Sequence, residues 1–249
     1  MTIHSVRYPA YPLVVHDPYF SIWSRSDRLT DSYPCHWTGE NQTIAGLIRI
    51  DGKAFCFLSK VPEAPALKQK SVRVLPTRTI YTFEEAGIRF TLTFLTPALP
   101  HRLKVLARPI TYVCFDAESM DGKAHELEIY FDADGAIAVN TPSDEIVWSR
   151  YQHPELDLMC AGSADQKILA KSGDNLRIDW GYLYLGVPKE FHASTVMESN
   201  RITRRKFLAD APFSCADNLN MRESAGKEWL CLAARFPMKV NSEGVSSRY

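Results

Sequence analysis

Two pairs of carboxylates have the spacing that acid–base chemistry on a glycosidic bond requires. Glu126 and Glu128 form one pair, and Asp132 and Asp134 form the other. Residues two apart on a β-strand share a face, so each pair would hold two carboxyl groups close enough to perturb one another. The surrounding pattern favours simpler roles, with the glutamates on the solvated face of an alternating strand and the aspartates in a turn. We therefore predict no catalytic residue in this chain.

A second group combines polar and aromatic side chains near the N terminus. Polar groups beside an aromatic wall suit the recognition of a sugar or an amide. The ligand-binding site that the sequence predicts consists of His16, Asp17, Tyr19, Trp23, His36 and Trp37. The alternative is that Trp23 and Trp37 fill the seam between two structural units, because large aromatic side chains dominate the cores of β proteins.

Other aromatic residues could stack on the apolar faces of sugar rings. They are Trp148, Trp180, Tyr182 and Tyr184. Leu183 and Leu185 alternate with the two tyrosines, so either the leucines or the tyrosines face the core. A coplanar exposed row of rings would indicate carbohydrate binding, and burial would indicate a scaffold.

Charge and motifs exclude several classes of function. The 249 residues include 29 Lys+Arg and 29 Asp+Glu, and this zero net charge argues against a nucleic-acid partner. No apolar run reaches the ~18 residues that span a bilayer, so no membrane partner is expected. The chain has no phosphate-binding glycine loop, no HExxH, no CxxC pair and no histidines at metal-ligand spacing. We predict no cofactor and no metal, and we interpret Cys56, Cys114 and Cys231 as buried free thiols.

The elements that must position these residues are strands. Alternation with a period of two is clearest where one face of a strand carries Ile88, Phe90, Leu92 and Phe94. Asp-Gly pairs supply the positive φ angles of tight hairpin turns, and they occur at Asp51-Gly52, Asp121-Gly122 and Asp134-Gly135. Helical spacing is scarce, with one candidate over Asp217–Lys227. The sequence predicts an all-β, antiparallel β-sandwich with a small N-terminal β unit packed on it.

The chain divides at one proline-rich segment. We expect a small β unit over residues 1–60, a linker over 61–68 and a β-sandwich domain over 69–249. Strand Trp229–Phe236 is followed by a turn and the start of another strand, so we expect a C-terminally truncated domain whose unpaired edge can bind a second copy. Met1 precedes no signal peptide. The expected location is the cytoplasm if Met1 is the native start, and the periplasm or exterior if a signal has been removed.

Seven short segments carry a family resemblance. They are Pro12–Trp23, His36–Gly39, Gly46–Lys53, Pro76–Phe83, Phe94–Pro97, Asp121–His125 and Asp179–Gly181. They span most of residues 8–187 and, in this order, resemble the N-terminal region of the glutaminase A family. The resemblance implies a two-part, all-β module, and the large galactose-mutarotase-like supersandwich is one candidate form of its sandwich. In such proteins the module precedes a helical (α/α)6 toroid, similar to the six-hairpin glycosidases, which holds the catalytic machinery.

The resemblance implies a function that depends on a second domain. Our leading hypothesis is a non-catalytic module of a larger glutaminase-A-like hydrolase. It would dock onto a C-terminal helical domain of the same polypeptide, help shape the active-site cleft and contact a small amide or sugar. One alternative is a carbohydrate-binding module or accessory domain of a glycoside hydrolase. Another is a self-contained enzyme, which would need convergent carboxylates or a His–carboxylate pair in a deep pocket.

Overall fold

The computed structural model describes residues 7–213 and 216–248, and strands form 47% of it and helices 10%. The prediction of an all-β, antiparallel fold is confirmed. The strands are β1 (Tyr11–Val15), β2 (Ser21–Ser24), β3 (Cys35–His36), β4 (Ile44–Ile50), β5 (Lys53–Leu58), β6 (Gln69–Leu75), β7 (Arg78–Glu85), β8 (Ile88–Leu95), β9 (Tyr112–Ser119), β10 (His125–Asp134), β11 (Glu145–Gln152), β12 (Leu156–Ser163), β13 (Tyr182–Pro188), β14 (Ser194–Ser199), β15 (Glu223–Ser224), β16 (Leu230–Val240) and β17 (Val245–Arg248). The helices are α1 (Leu103–Leu106), α2 (Asn200–Leu208) and α3 (Ala225–Glu228), with 3₁₀ turns at Gly135–Ala138 and Lys189–Phe191.

The strands form four antiparallel sheets. Their orders are β1-β2-β3, β14-β16-β10-β4-β5, β13-β12-β11-β15 and β17-β9-β8-β7-β6. The second sheet combines β4 and β5, from the N-terminal side of the predicted linker, with three strands from its C-terminal side. None of the helices in the described part of the chain has the length and apolar character needed to cross a membrane.

The β7–β8–β9 meander follows the predicted alternation. One face of β8 is fully buried, and it carries Ile88, Phe90, Leu92 and Phe94. The turn before β8 consists of Ala86 and Gly87, with φ of 49° and 78°. Asp51 and Gly52 also have positive φ, 47° and 85°, as a type I′ turn between β4 and β5 requires.

Strand β10 is buried on both faces. Leu127, Ile129 and Phe131 point into the largest hydrophobic cluster, which the two five-stranded sheets share. Tyr130 points to the opposite face and packs beneath Phe207 of α2, with the ring centroids 5.5 Å apart. This double burial makes β10 the central strand, hydrogen-bonded to β16 on one side and to β4 on the other.

The arrangement of the sheets differs from the predicted sandwich. The four sheets form a propeller-like ring rather than one clear two-layer sandwich. Trp148 and Met159 fill a separate cluster between the four-stranded sheet and its neighbour. Alternation specifies which face of a strand is buried but not which sheet covers it, so the same pattern suits a sandwich or a ring.

One helix prediction and one strand prediction are wrong, and another helix was not predicted. The helix expected over Asp217–Lys227 reduces to the short α3, and the longest helix is α2, which carries the basic residues Arg204 and Arg205. Asp134-Gly135 as a turn would predict a strand over Ala136–Asn140, but Gly135–Ala138 form a 3₁₀ turn. Helix α2 escaped notice because its buried stripe consists only of Thr203 and Phe207, four residues apart, and a threonine is not read as apolar.

The expected unpaired edge is also wrong. Strand β16 pairs with β10 from Cys231 to Val240 and with β14 from Leu230 to Arg235. Strand β17 does not return along β16; it pairs instead with β9 in another sheet. The turn at Asn241–Gly244 therefore carries the chain from one sheet to the next, and no hairpin forms there.

His125 joins the two Asp-Gly turns at one end of the sheets. Its Nδ1 lies 2.6 Å from Asp51 Oδ2, and its Nε2 lies 3.0 Å from Asp121 Oδ1. The ring is buried, and hydrogen bonds to these carboxylates raise the pKa of His125. The two aspartates favour the protonated imidazole and link, through it, turns that belong to different sheets.

We expect the stability contributed by His125 to depend on pH. A histidine whose pKa is raised by folding stabilises most below its unfolded pKa of about 6.5, and this stabilisation is lost as pH rises through the folded value. His125→Gln should therefore lower the free energy of unfolding by about 1 kcal/mol more at pH 5.5 than at pH 9. Urea unfolding at both pH values measures this difference. His101→Gln, on an exposed loop, is the control; an equal effect of His125→Gln at both pH values would contradict the charged state.

Candidate functional site

The predicted ligand-binding residues lie on two faces of the N-terminal sheet. Ile22 pairs with His36 and Trp23 pairs with Cys35 across β2 and β3. Neighbouring residues of a strand point to opposite faces, so Trp23 and His36 are separated by the thickness of the sheet. Trp23 Nε1 donates instead to Ser21 Oγ at 2.7 Å. The six residues are thus not a single constellation.

One face gathers its polar groups around the carbonyl of Pro18. His36 Nε2 lies 3.0 Å from this oxygen, and Trp37 Nε1 donates to it at 2.6 Å. The backbone N–H of Thr38 donates to His36 Nδ1 at 3.3 Å, which assigns the proton of a neutral imidazole to Nε2. Burial lowers the pKa of His36, and its ring is 0% exposed. His36 therefore positions the Asp17–Phe20 loop and is closed to solvent.

Arg177 fastens this face to the C-terminal part of the chain. Its guanidinium donates to Thr38 Oγ1 at 2.9 Å and to the carbonyl of Asn140 at 2.6 Å. The neighbouring Ile178 N–H donates to the carbonyl of Tyr19 at 2.9 Å. Sequence reasoning missed Arg177, although a lone arginine between apolar residues, just before Asp179-Trp180-Gly181, was the available signal.

The exposed remainder of this face is aromatic and acidic. Trp37 is 47% exposed, and the ring of Tyr19 meets that of Trp180 edge-on at 5.5 Å. Asp17 Oδ1 accepts the backbone N–H groups of Tyr19 and Phe20, at 2.7 and 3.0 Å. The surface offers rings for stacking and a carboxylate acceptor, which is the chemistry that recognises a sugar or an amide. Ligand binding here stays a prediction.

His16 lies apart from these groups. Its Nε2 is 3.5 Å from Thr111 Oγ1, in the segment that precedes β9, and its ring is 5.4 Å from that of Phe20. Burial lowers the pKa of His16 despite the nearby Asp17 carboxylate. A neutral, half-buried imidazole at this position supports the loop between β1 and β2.

The aspartate pair lies in a strand, which corrects the prediction of turn residues. Asp132 and Asp134 are both fully buried on the outer face of β10. The Asp132 carboxylate accepts two hydrogen bonds from one edge of the Arg204 guanidinium, at 2.7 and 2.9 Å. It accepts a third from the Tyr130 hydroxyl at 2.6 Å. This carboxylate holds α2 on the sheet, although the basic run of Arg201, Arg204, Arg205 and Lys206 by itself suggests a solvated face.

Asp134 has a different environment two residues away. Its Oδ1 accepts the N–H of Ala136 at 2.9 Å, and its Oδ2 lies 3.3 Å from Asn200 Nδ2. Burial raises the pKa of Asp134 to about 7, with a further contribution from Asp132. A carboxyl group with such a pKa suits proton transfer, but this one is 1% exposed and its hydrogen bonds cap the 3₁₀ turn.

The glutamate pair is divided between solvent and an ion-pair network. Glu126 is exposed, as predicted, and lies 3.6 Å from Lys239 Nζ. The Glu128 carboxylate instead accepts hydrogen bonds from Nε and one terminal nitrogen of Arg235, at 2.5 and 2.9 Å. The guanidinium groups of Arg235 and Arg49 also lie over the Phe207 ring, at 5.7 and 5.0 Å. The interpretation of a solvated pair thus holds for Glu126 only.

The thiols behave as predicted. Cys56, Cys114 and Cys231 are free and buried, as are Cys35 and Cys160, and Cys215 lies outside the described residues. Burial raises the pKa of Cys56 and of Cys114 to about 11, so neither is a nucleophile at neutral pH. Within residues 7–213 and 216–248, no three His, Cys, Asp or Glu side chains are grouped to hold a metal ion.

Two family models match the chain, one before and one after the segment around residue 70. A domain of unknown function, DUF5127, matches residues 77–249, and another, DUF4964, matches residues 2–63. The first match covers well over half of the sequence. The chain belongs to the DUF5127 family. The hydrogen bonds from Arg177 to Thr38 and from Ile178 to Tyr19 thus join the DUF5127 segment to the DUF4964 segment.

A curated relative supports part of the resemblance to glutaminases. Over 139 residues, this DUF5127 protein is 30% identical to Glutaminase A of Aspergillus oryzae (strain ATCC 42149 / RIB 40). The match covers 53% of this chain and 20% of the relative. The chain therefore spans only about a fifth of the length of that glutaminase.

Proposed function

We propose that this chain is a non-catalytic β module of a larger glutaminase-A-like hydrolase. In that protein it docks onto a C-terminal helical domain of the same polypeptide and helps to shape the active-site cleft. The observation that carries the proposal is the 30% identity to a region that forms 20% of Glutaminase A. The division into a unit at residues 1–60, a linker at 61–68 and a unit at 69–249 belongs to the same proposal.

An apolar projection supports the docking role. The connection between β8 and β9 contains α1, none of whose residues is buried. Leu103 is 73% exposed, and the same connection exposes Leu99, Leu106 and Ile110. Large apolar side chains grouped at one surface are typical of an interface, whereas single ones are ordinary. This group, Leu99, Leu103, Leu106 and Ile110, is hereafter the α1 projection.

The direction of β17 supports a partner within the same polypeptide. Val245 pairs with Glu118, and Arg248 pairs with Phe115, so β17 runs toward the start of β9. The α1 projection leaves the sheet at that same end, just before Tyr112. A domain that follows β17 would meet the projection at once, and covering these side chains would remove apolar area from water.

The structural roles of the carboxylates support a non-catalytic module. Asp132 is paired with Arg204, and Glu128 with Arg235. The first ion pair holds α2 against β10, and the second joins β10 to β16. We expect the purified chain to release no ammonia from L-glutamine, and to cleave no aryl glycoside, above the rate in buffer. Turnover by the chain alone, abolished in Asp134→Asn, would overturn the proposal in favour of a self-contained enzyme.

Docking can be tested with matched surface variants. The chain is titrated calorimetrically with the separately produced remainder of the full-length protein. We expect Leu103→Asp/Leu106→Asp to weaken binding by at least about tenfold, because charges would be buried at the interface. Ile168→Asp/Leu169→Asp, on an equally exposed loop, should leave binding unchanged. Equal binding by both variants, or no binding by the unmodified chain, would contradict the docking role.

Carbohydrate binding is a second candidate because three tyrosines share one exposed sheet face. Tyr151, Tyr182 and Tyr184 are each about half exposed, and the ring of Tyr184 lies 6.0 Å from Tyr151 and 6.2 Å from Tyr182. Their interplanar angles of 44° and 63° make a twisted row rather than a flat platform. Loss of glycan-array binding in Tyr184→Ala, with an unchanged melting temperature, would favour this function.

A further inference from the structure

Two cavities lie beside the N-terminal sheet, away from the Pro18 carbonyl and the groups around it. The larger, of about 360 Å³, is lined by Arg25, Asp31, Tyr33, Cys35 and Asn41 together with Lys60. The smaller, of about 160 Å³, is lined by Cys56, Ser59 and the apolar side chains of Val61 and Ala64, again with Lys60. Lys60 lines both cavities, so they adjoin at this residue; together they are hereafter the cleft, with the larger, more polar cavity as its mouth and the smaller one as its inner part. The larger volume falls within the range of small-molecule sites.

The mouth of the cleft carries an excess of positive charge. Arg25 donates to the carbonyl of Trp37 at 2.9 Å, which fixes its guanidinium at the rim. Neither Arg25 nor Lys60 forms an ion pair with any residue that the structure describes. Asp31 is the single carboxylate among the lining residues, so the lining has a net charge of +1. Two cations without a carboxylate partner among the described residues favour an anionic ligand.

Ser59 provides an independent sign of a ligand. Its side chain is 0% exposed, and its hydroxyl has no hydrogen-bond partner among the described residues. Its φ of 72° is unusual for a residue other than glycine. Buried polar groups in native proteins are nearly always hydrogen-bonded, and strained backbone is concentrated at functional sites. The Ser59 hydroxyl therefore has its hydrogen-bonding capacity unused at the inner part of the cleft, where a ligand could satisfy it.

We propose that this cleft binds a small hydroxylated organic carboxylate. The ligand carboxylate lies between the Arg25 guanidinium and the Lys60 ammonium, which donate charge-assisted hydrogen bonds. Ligand hydroxyl groups reach Asp31 and Asn41 at the mouth and the Ser59 hydroxyl inside. The proposal is independent of the docking role, because neither Arg25 nor Lys60 belongs to the α1 projection.

Binding is tested on the full chain with D-gluconate. Sorbitol has the same carbon skeleton with a neutral end, and inorganic phosphate is a simple anion. We expect gluconate to shift the backbone amide signals of Arg25, Asn41 and Ser59 in ¹⁵N-resolved spectra, with saturation in the millimolar range. Binding should weaken as sodium chloride is added, because salt screens an exposed charge pair. Sorbitol and phosphate should each bind at least about fivefold more weakly.

Three variants assign the roles within the cleft. Lys60→Gln and Arg25→Gln should each weaken gluconate binding by about fivefold or more. Lys53→Gln, which removes an exposed lysine in the β4–β5 hairpin, should leave it unchanged. Ser59→Ala should weaken binding while leaving the melting temperature unchanged or higher, since the hydroxyl has no partner to lose.

Several outcomes would overturn the proposal. Equal affinity for sorbitol would remove the role of the carboxylate, and equal affinity for phosphate would reduce the cleft to a general anion surface. Signal shifts outside the cleft, or no saturable binding up to about 50 mM gluconate, would remove the site itself. A lower melting temperature for Ser59→Ala would show that the hydroxyl has a structural partner.

Discussion

Replacing Arg204 with methionine is expected to lower the free energy of unfolding by about 3 kcal/mol, because it leaves Asp132 charged and buried without its counter-ion. The two side chains make two hydrogen bonds of 2.7 and 2.9 Å, and Asp132 is fully buried. For a chain of this size, such a loss lowers the melting temperature by about 6–12 °C. Thermal unfolding followed by circular dichroism measures the change.

Two further variants separate the ion pair from the helix that carries it. Arg205→Met, on the exposed side of α2, should change the stability by less than about 0.5 kcal/mol. The double variant Asp132→Leu/Arg204→Met should recover part of the loss, since an apolar pair carries no uncompensated charge. If Arg204→Met and Arg205→Met melted at the same temperature, the pair would not be what holds α2 in place.

Replacing Phe57 with alanine should cost about 4 kcal/mol, the largest effect that we expect of an apolar substitution. Phe57 of β5 is 0% exposed, and its ring lies 4.9 Å from Phe90, 6.2 Å from Phe115 and 6.3 Å from Phe83. The ring also covers Gly46, where a Cβ atom would lie 2.2 Å from it. Truncation would open a cavity between the two five-stranded sheets, and urea unfolding measures the cost.

The comparison with Phe55 makes this prediction specific. Phe55 lies on the face of β5 opposite to Cys56. It packs against the same hydrophobic cluster as Phe57 but is only partly buried there. Phe55→Ala should therefore cost less than half as much. Because Phe57 belongs to the DUF4964 segment and Phe90 to the DUF5127 segment, Phe57→Ala should lower the stability of both together in one transition. Two separate transitions would show that the segments unfold independently.

Charged and apolar side chains of this chain divide between structural roles and exposed surfaces. The charged groups of Arg204, Asp132 and Arg177 position secondary structure through their hydrogen bonds. The α1 projection and the cleft beside Lys60, by contrast, expose groups that have no structural task among the described residues. These surfaces are where the proposed docking and ligand binding can be separated by mutation, since no residue contributes to both.

Local patterns were the part of the fold that sequence reasoning predicted well. The strand with Ile88 and Phe90 and the turn at Asp51-Gly52 depend only on neighbours in the chain, so alternation and positive φ angles reveal them. The Tyr–Leu alternation in β13 left two choices. The structure selects the leucines, since Leu183 and Leu185 pack on the core and the tyrosines are exposed.

The candidate site was predicted less well because it depends on strand pairing. The sequence placed Trp23 and His36 in one group, but the register of β2 against β3 sends them to opposite faces. Asp132 was assigned to a turn because a charged residue beside Asp134-Gly135 is typical of one. Its partner Arg204 is 72 residues away, and only the packing of α2 on β10 brings the two together.

The sequence by itself determined the all-β class, the Asp51-Gly52 turn, the buried thiols and the similarity to part of a glutaminase. Each of these depends on residue types and on spacings of a few positions. Only the tertiary structure decided that four sheets form a ring, that Arg177 joins the two family segments and that Ser59 lies unpartnered beside Lys60. The physical reason is that a strand's pattern specifies which face is buried, while the covering partner is chosen by contacts between residues far apart in the chain.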